Sequence, residues 1–139
     1  MQFRLTDALE NLMPGRALDL AAGQGRHALW LAGRGWKVTA VDREIAAIPG
    51  VDVIWADLER HEFKIEPEAW DLIVCWLYWQ EDLMPLIAAG VRKGGVAALA
   101  GKTSGRFTTS LIRYRKFFED WEELDSGEED GRAWLIVRR

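Results

Sequence analysis

Apolar residues fall into short, dense runs at residues 17–21, 37–41, 51–55, 70–75 and 96–100. Each run is about strand length, and most are apolar at nearly every position. Strands of that kind are covered from above and below, which predicts a parallel sheet flanked by helices. Between the runs the spacing becomes helical. Residues 6–12 read as a short helix with Thr6 as N-cap and Pro14-Gly15 as its stop. Residues 25–34 read as a helix ended by Gly35. Residues 82–89 read as another, capped by Asp82, with Pro85 tolerated in its first turn. Residues 108–118 read as a fourth, capped near Thr108 or Thr109. Residues 44–48 offer at most a helical stub before Pro49-Gly50. Residues 58–68 read as loop with one turn after Pro67. The segment Arg92-Lys93-Gly94-Gly95 reads as a turn into the fifth strand.

The C-terminal pattern breaks the alternation. Strands at about 121–124 and at 133–137 are separated only by residues 125–132, too few for a crossover helix. They must pair as a hairpin or lie as antiparallel neighbours. The expectation is a three-layer α/β fold. Its seven-stranded sheet is mostly parallel, with an antiparallel C-terminal strand.

At 139 residues the chain is expected to form one domain. Such a domain buries roughly 68% of the surface its unfolded chain exposes. Hydrophobic content of 49% and charged content of 29% are ordinary for a globular chain. A net charge of -4 argues against broad nucleic-acid binding, which depends on clustered Lys and Arg. No apolar run approaches the roughly 18 residues of a membrane span. Met1-Gln2-Phe3-Arg4 lacks the apolar core of a secretory leader. With a single cysteine, Cys75, no internal disulfide forms, and a cytoplasmic, reducing compartment is expected. No metal site is expected.

The chemistry concentrates in Asp19-Leu20-Ala21-Ala22-Gly23-Gln24-Gly25-Arg26-His27-Ala28, followed by Val41-Asp42. An apolar strand enters a glycine-rich turn that opens a helix, and the next strand ends in a carboxylate. Two glycines at this spacing let the backbone approach a ligand that a Cβ would exclude. A carboxylate after the second strand can accept from both hydroxyls of a ribose. The turn fits the dinucleotide fingerprint G-x-G-x-x-G/A. Three features point away from NAD. Asp19 adds negative charge where a pyrophosphate would approach, whereas a cationic amino group would be attracted there. The chain has no room for a separate substrate domain. The terminal hairpin is not how a dinucleotide domain ends.

Over residues 16–139 the chain resembles the class I S-adenosylmethionine-dependent methyltransferases, which share a Rossmann-like fold. Asp19-Leu20-Ala21-Ala22-Gly23-Gln24-Gly25 resembles that family's first motif. The resemblance implies that Asp19, Ala21, Gly23 and Gly25 surround the methionine part of S-adenosyl-L-methionine. It gives Asp42, with Arg43 beside it, to the ribose, and Asp57 and Leu58 to the adenine. Cys75 and Trp76 fall where the family flanks the sulfonium. Lys93-Gly94-Gly95 resembles the turn before its fifth strand, and its antiparallel seventh strand, inserted beside the fifth, accounts for the hairpin. Gly25-Arg26 and residues 113–122 resemble the small tellurite-resistance-type members.

Methyl transfer from a sulfonium is an in-line displacement, in which positioning carries much of the catalysis. The segment from Cys75 to Asp82 is expected to line the acceptor side, with Tyr78 and Trp79 as substrate candidates. Aromatic faces there attract a sulfonium or ammonium. His27, opening the second helix, is a third candidate. No general base is legible. No Asn/Asp-Pro-Pro-aromatic tetrapeptide follows the fourth strand, which lowers the expectation of amino methylation on adenine, cytosine or glutamine. Cys75 reads as a small buried group rather than a nucleophile. His61 reads as solvated, and residues 119–130 as a wet acidic edge. Arg106, Arg113, Arg115 and Lys116 read as a basic strip that could steer an anion.

About sixteen residues precede the first strand, and the segment after the fifth is short, so the substrate side reads as open. A large substrate such as a protein, a second subunit in a homodimer, or a small molecule held by Trp79 and the first helix would each suit it. The expected function is methyl transfer to a small molecule. The rival is a cofactor-binding module without its own substrate site.

Overall fold

A computed structural model describes residues 4–139. Met1, Gln2 and Phe3, most of the segment in which a leader was sought, lie outside the described residues. The elements are α1 (Leu5–Leu9), β1 (Arg16–Leu20), α2 (Arg26–Gly33), β2 (Lys37–Asp42), β3 (Val51–Trp55), β4 (Trp70–Trp76), α3 (Met84–Gly90), β5 (Val91–Lys102), α4 (Leu111–Arg115), β6 (Glu122–Glu129) and β7 (Arg132–Arg138). A single 3-10 turn, Glu81–Leu83, leads into α3.

The seven strands form one sheet in the order β3-β2-β1-β4-β5-β7-β6. β1 pairs in parallel with both β2 and β4. β7 lies antiparallel to β5 and to β6. This is the expected α/β fold: a mostly parallel, seven-stranded sheet with the reversed strand near its C-terminal edge.

The doubly apolar runs are explained by two cores, one on each face. On one face Leu72 and Val74 of β4 and Val96 and Ala98 of β5 pack with Leu5 and Leu9 of α1 and Ala28 and Leu31 of α2. On the other face the alternate residues, Ile73, Cys75, Ala97 and Leu99, pack with Met84 and Ile87 of α3 and Tyr114 of α4. The period-two alternation sends successive side chains to opposite faces, so each must be apolar.

Several local expectations give way. The turn at 92–95 is instead a bulge within β5: pairing passes from Trp70↔Val91 to Leu72↔Val96, leaving extra residues on β5. β6 reaches Glu129 and does not stop near 124, because its acidic residues form an edge strand rather than a connector. A row of carboxylates on an edge opposes pairing with another chain. Helix caps also differ. Arg4, not Thr6, precedes α1, and Asp82 makes no cap bond to α3. α4 is shorter than expected, and its cap is Ser110, whose hydroxyl accepts from the Arg113 N–H at 3.3 Å. No helix among the described residues is long and apolar enough to cross a membrane.

Gly101, near the end of β5, is fully packed. A Cβ there would clash with Thr109 Cγ2 and lie 2.8 Å from Tyr114 Oη. Gly101→Ala should destabilise the fold by about 1–3 kcal/mol, the range for overpacking. Urea unfolding should show a lower midpoint with the same slope. An unchanged midpoint would mean that α4 yields without strain.

Candidate functional site

The centre of the sheet places two strand ends side by side, with Leu20 of β1 opposite Cys75 of β4. Just beyond each end the backbone turns left-handed at a residue with a Cβ: Ala21 at φ 53° and Leu77 at φ 61°. Such residues cost of order 1–2 kcal/mol and persist where the surroundings over-determine them. The Leu77 N–H donates to the Ala100 carbonyl at 2.7 Å, which fixes the turn.

After Ala21 the glycine loop closes with the Gly25 N–H donating to the Ala22 carbonyl at 2.9 Å. Both glycines have positive φ, but they do different work. At Gly23, φ 59°, a Cβ would meet nothing within 4 Å, so its backbone borders open space. At Gly25, φ 79°, a Cβ would strike Ile48 Cδ1. Gly25 serves the turn and its packing against Ile48. Asp42 braces the loop from the end of β2. One carboxylate oxygen accepts from the Gly23 N–H and the other from the Glu44 N–H, both at 2.9 Å. Each oxygen keeps acceptor capacity for a further donor.

Beneath the loop, Asp19 is 2% exposed. The Ala28 N–H donates to its carboxylate, yet Oδ2 has no partner. Burial first, and the neighbouring Asp42 charge second, push its pKa up to about 7. A buried acceptor without a donor is a costly feature. A cation or N–H supplied from the loop side would satisfy it and restore its charge.

Four clefts surround this point, and Leu77 borders all of them. One of about 240 Å³ is lined by Ala21, Asp42, Arg43, Ala56, Asp57, Leu58 and Tyr78, among others. A second, about 220 Å³, runs from Ala21 through the glycine loop to His27 and Trp76. Together they bring Asp42, Arg43, Asp57, Leu58, Ala21, Gly23, Gly25 and Trp76 along one path across the strand ends. Cys75 does not join them: it is fully buried, its thiol donates to the Tyr78 carbonyl, and burial pushes its pKa up to about 12. The substrate candidates part company. Tyr78 and Trp79 border a cleft of about 210 Å³ with Lys102 and Arg106. His27 faces the opposite side, in edge contact with Trp76 at 6.2 Å. Burial, and then Arg26, lower the pKa of His27, so it is neutral at pH 7.

A sequence model of the tellurite resistance protein TehB matches residues 2–79, more than half of the chain. The chain belongs to the TehB family. It superposes on TehB of Haemophilus influenzae with a TM-score of 0.81 at 20% identity, over 96% of this chain and 60% of that one. An S-adenosylmethionine-dependent methyltransferase of Mesorhizobium loti gives 0.74 at 12% identity, over 96% of both chains. A third neighbour, from Burkholderia thailandensis, gives 0.68 at 18% identity, over 97% of this chain and 74% of that one. It is a 1,6-didemethyltoxoflavin-N1-methyltransferase with its substrate and S-adenosylhomocysteine bound. Hemagglutinin 1 of Eikenella corrodens is 26% identical over 154 residues, covering 91% of this chain and 50% of that protein. The chain spans about half the length of that curated relative.

In this TehB-family chain several neighbours of the site had no sequence signature. Leu77 is the clearest: nothing marks a leucine for the left-handed region. Gln80 is another. Its amide donates to the Leu58 carbonyl at 3.1 Å and to Asp82 at 2.8 Å, and its oxygen accepts from the Tyr78 hydroxyl at 2.6 Å. It ties the loop after β4 to the loop after β3. Trp30, one helical turn beyond Arg26 on α2, was also missed, although its spacing from Arg26 could have marked it. His61 is not simply solvated; its Nε2 lies 2.9 Å from Asp82 Oδ2. The expected basic strip is broken up. Arg115 forks onto Glu123 at 2.8 and 2.9 Å, while Arg113 lies 5.7 Å from the Trp79 ring centroid.

Because the folded pKa of Asp19 is raised, the folded chain holds a proton that the unfolded chain releases between pH 3.8 and about 7. Stability is therefore lost as pH rises through that window. Asp19→Asn, free of the buried charge, should melt at a higher temperature than the parent at pH 8, with the gap closing below pH 4. Equal melting temperatures at pH 8 would contradict the burial cost. Gly25→Ala should destabilise more than Gly23→Ala, which carries only the backbone strain. The reverse order in urea unfolding would reverse their assigned roles.

Proposed function

We propose that this chain binds S-adenosyl-L-methionine and transfers its methyl group to a small-molecule acceptor. The observation that carries the reading is the unpartnered Asp19 Oδ2 beneath the open backbone of Gly23. Both are features that a ligand with a cationic amino group would fill. When bound, the cofactor supplies an electrophilic methyl group on a sulfonium.

In this reading Asp19 takes the ammonium directly or through the loop, and the backbone at Ala21, Gly23 and Gly25 borders the methionine part. Asp42, beside Arg43, accepts from the ribose hydroxyls with the lone pairs that its two backbone bonds leave free. Asp57 and Leu58 border the adenine. Trp76 offers a ring to the sulfonium. Cys75 contributes the backbone of its strand end, not its thiol. Tyr78 and Trp79 on one flank of Leu77, and His27 on the other, are the acceptor candidates. The small-molecule class is supported by the bound substrate of the Burkholderia neighbour. The chain acts as one domain, in a cytoplasmic compartment suited to the free Cys75.

Calorimetry with S-adenosylmethionine, S-adenosylhomocysteine and NAD tests the cofactor. Binding of the first two is expected, and binding of NAD alone would overturn the reading. Asp42→Ala should weaken binding by roughly 1–3 kcal/mol, the range for losing hydrogen bonds to a charged group. An unchanged dissociation constant would remove Asp42 from the ribose. Release of S-adenosylhomocysteine should follow addition of an acceptor. Tight binding with no turnover on a panel of thiols, halides, tellurite and phenols would favour a binding module.

A further inference from the structure

A hydroxyl or thiol loses its proton when it is methylated, so a group beside the reacting atoms has to take that proton. Most titratable side chains around the crevice are unsuited. Asp19 is 2% exposed, beneath the glycine loop. Asp42 has each carboxylate oxygen on a backbone N–H. Burial above all pushes the pKa of the Cys75 thiol and of the Tyr78 hydroxyl up to about 12, so both keep their protons at pH 7. The Tyr78 hydroxyl is also spent as a donor to Gln80 at 2.6 Å. Asp57 and Glu59 line the cleft assigned to the adenine.

His27 differs in place and in state. It lines the cleft of about 220 Å³ along the glycine loop, with Ala21, Gly23 and Trp76. It also lines the largest cleft, about 460 Å³, between α1, α2 and the start of β7. Trp76 and Leu77 border both, so His27 stands where the space for the methionine part meets a second space large enough for an acceptor. The other charged groups on these walls are Arg4, Arg26 and Arg132, and no carboxylate lines either cleft. His27 is therefore the side chain there that can accept a proton. Its ring is half-buried and set edge-on to Trp76 at 6.2 Å. Neither ring nitrogen has a hydrogen-bond or ion-pair partner among the described residues. Burial, and then Arg26, hold the imidazole neutral at pH 7, with one lone pair free.

We infer that His27 is the general base of the transfer, and that the acceptor is a hydroxyl or thiol compound un-ionised at neutral pH. As the acceptor oxygen or sulfur bonds to the methyl carbon, the electrons of the old carbon–sulfur bond stay on the departing sulfur. The acceptor's proton passes to a ring nitrogen of His27, and the imidazolium then releases it to solvent. The charges move in a favourable order. Before transfer the sulfonium and Arg26 both oppose protonation of His27; afterwards the departing sulfur is neutral, and the opposition falls as the imidazolium forms. This rests on the cofactor reading above.

The first test needs no acceptor. The chain has two histidines, so each imidazole can be followed by NMR, with His27→Gln identifying its signal. With S-adenosylhomocysteine bound, His27 should titrate below the ordinary value of about 6.5. With S-adenosylmethionine, whose sulfonium adds a positive charge, it should titrate about half a pH unit lower still. His61, beside Asp82 on the other flank, should titrate alike in both complexes. The second test is release of S-adenosylhomocysteine at pH 7.5. Phenol and 2-mercaptoethanol are un-ionised there, whereas pentafluorophenol and thiophenol are ionised. His27→Ala should slow the un-ionised pair about a hundredfold or more relative to the ionised pair, and added imidazole should restore part of the loss. Equal titration of His27 in the two complexes, or equal slowing of the two acceptor pairs, overturns the role of His27. Binding of both cofactor forms without turnover of any acceptor overturns the acceptor class and the base with it. Binding of neither form sinks the cofactor reading itself.

Discussion

The pairing of β1 with β4 is the constraint on which the rest depends. Strand order runs outward from this pair in both directions: β2 and β3 on one side, β5 on the other. Connections leaving the two strands diverge, so a crevice opens above their ends, and that is where open α/β sheets bind ligands. The loops after β1 and β4 face each other there. Their first residues, Ala21 and Leu77, hold unfavourable left-handed backbones because the adjacent strands leave no alternative. The buried Asp19 sits one step below, too deep in the sheet to be solvated and too close to the loop to be idle.

Much of this was legible in sequence because it rests on periodicity. Runs apolar on both faces have few homes other than a parallel sheet, and the short spacing of the last two strands forces them antiparallel. The elements that escaped share a different cause. β6 is written in glutamates and aspartates, so its strand character comes from pairing with β7 and not from its own side chains. The bulge in β5 reads as a turn because Gly94-Gly95 is turn chemistry wherever it occurs. Caps were misplaced by a few residues, as boundaries depend on tertiary packing.

The site was legible to the extent that its residues lie in contiguous motifs. Asp19 near the end of β1, the glycine loop after it, Asp42 at the end of β2 and Asp57 just after β3 come in order, and the fold gathers them at one end of the sheet. What sequence could not give was side. Tyr78 and His27 fall on opposite flanks of Leu77, a division made by one side chain whose position depends on a backbone angle. The equivalence of the two glycines also dissolved, since Ile48, distant in sequence from Gly25, supplies the contact that distinguishes them.

The reversed direction of β7 has a consequence for how such a domain can vary. The hairpin turn before it, Asp130-Gly131, has positive φ at both residues, as a type I′ turn requires. The Gly131 carbonyl accepts from the Thr103 N–H at 2.9 Å, so the turn stands at the rim beside the end of β5. A parallel strand would have placed its incoming loop at the opposite end of the sheet. The rim can thus be rebuilt by lengthening one surface turn while every core residue keeps its neighbours. Diversification of ligand choice and preservation of the scaffold are, at that turn, independent.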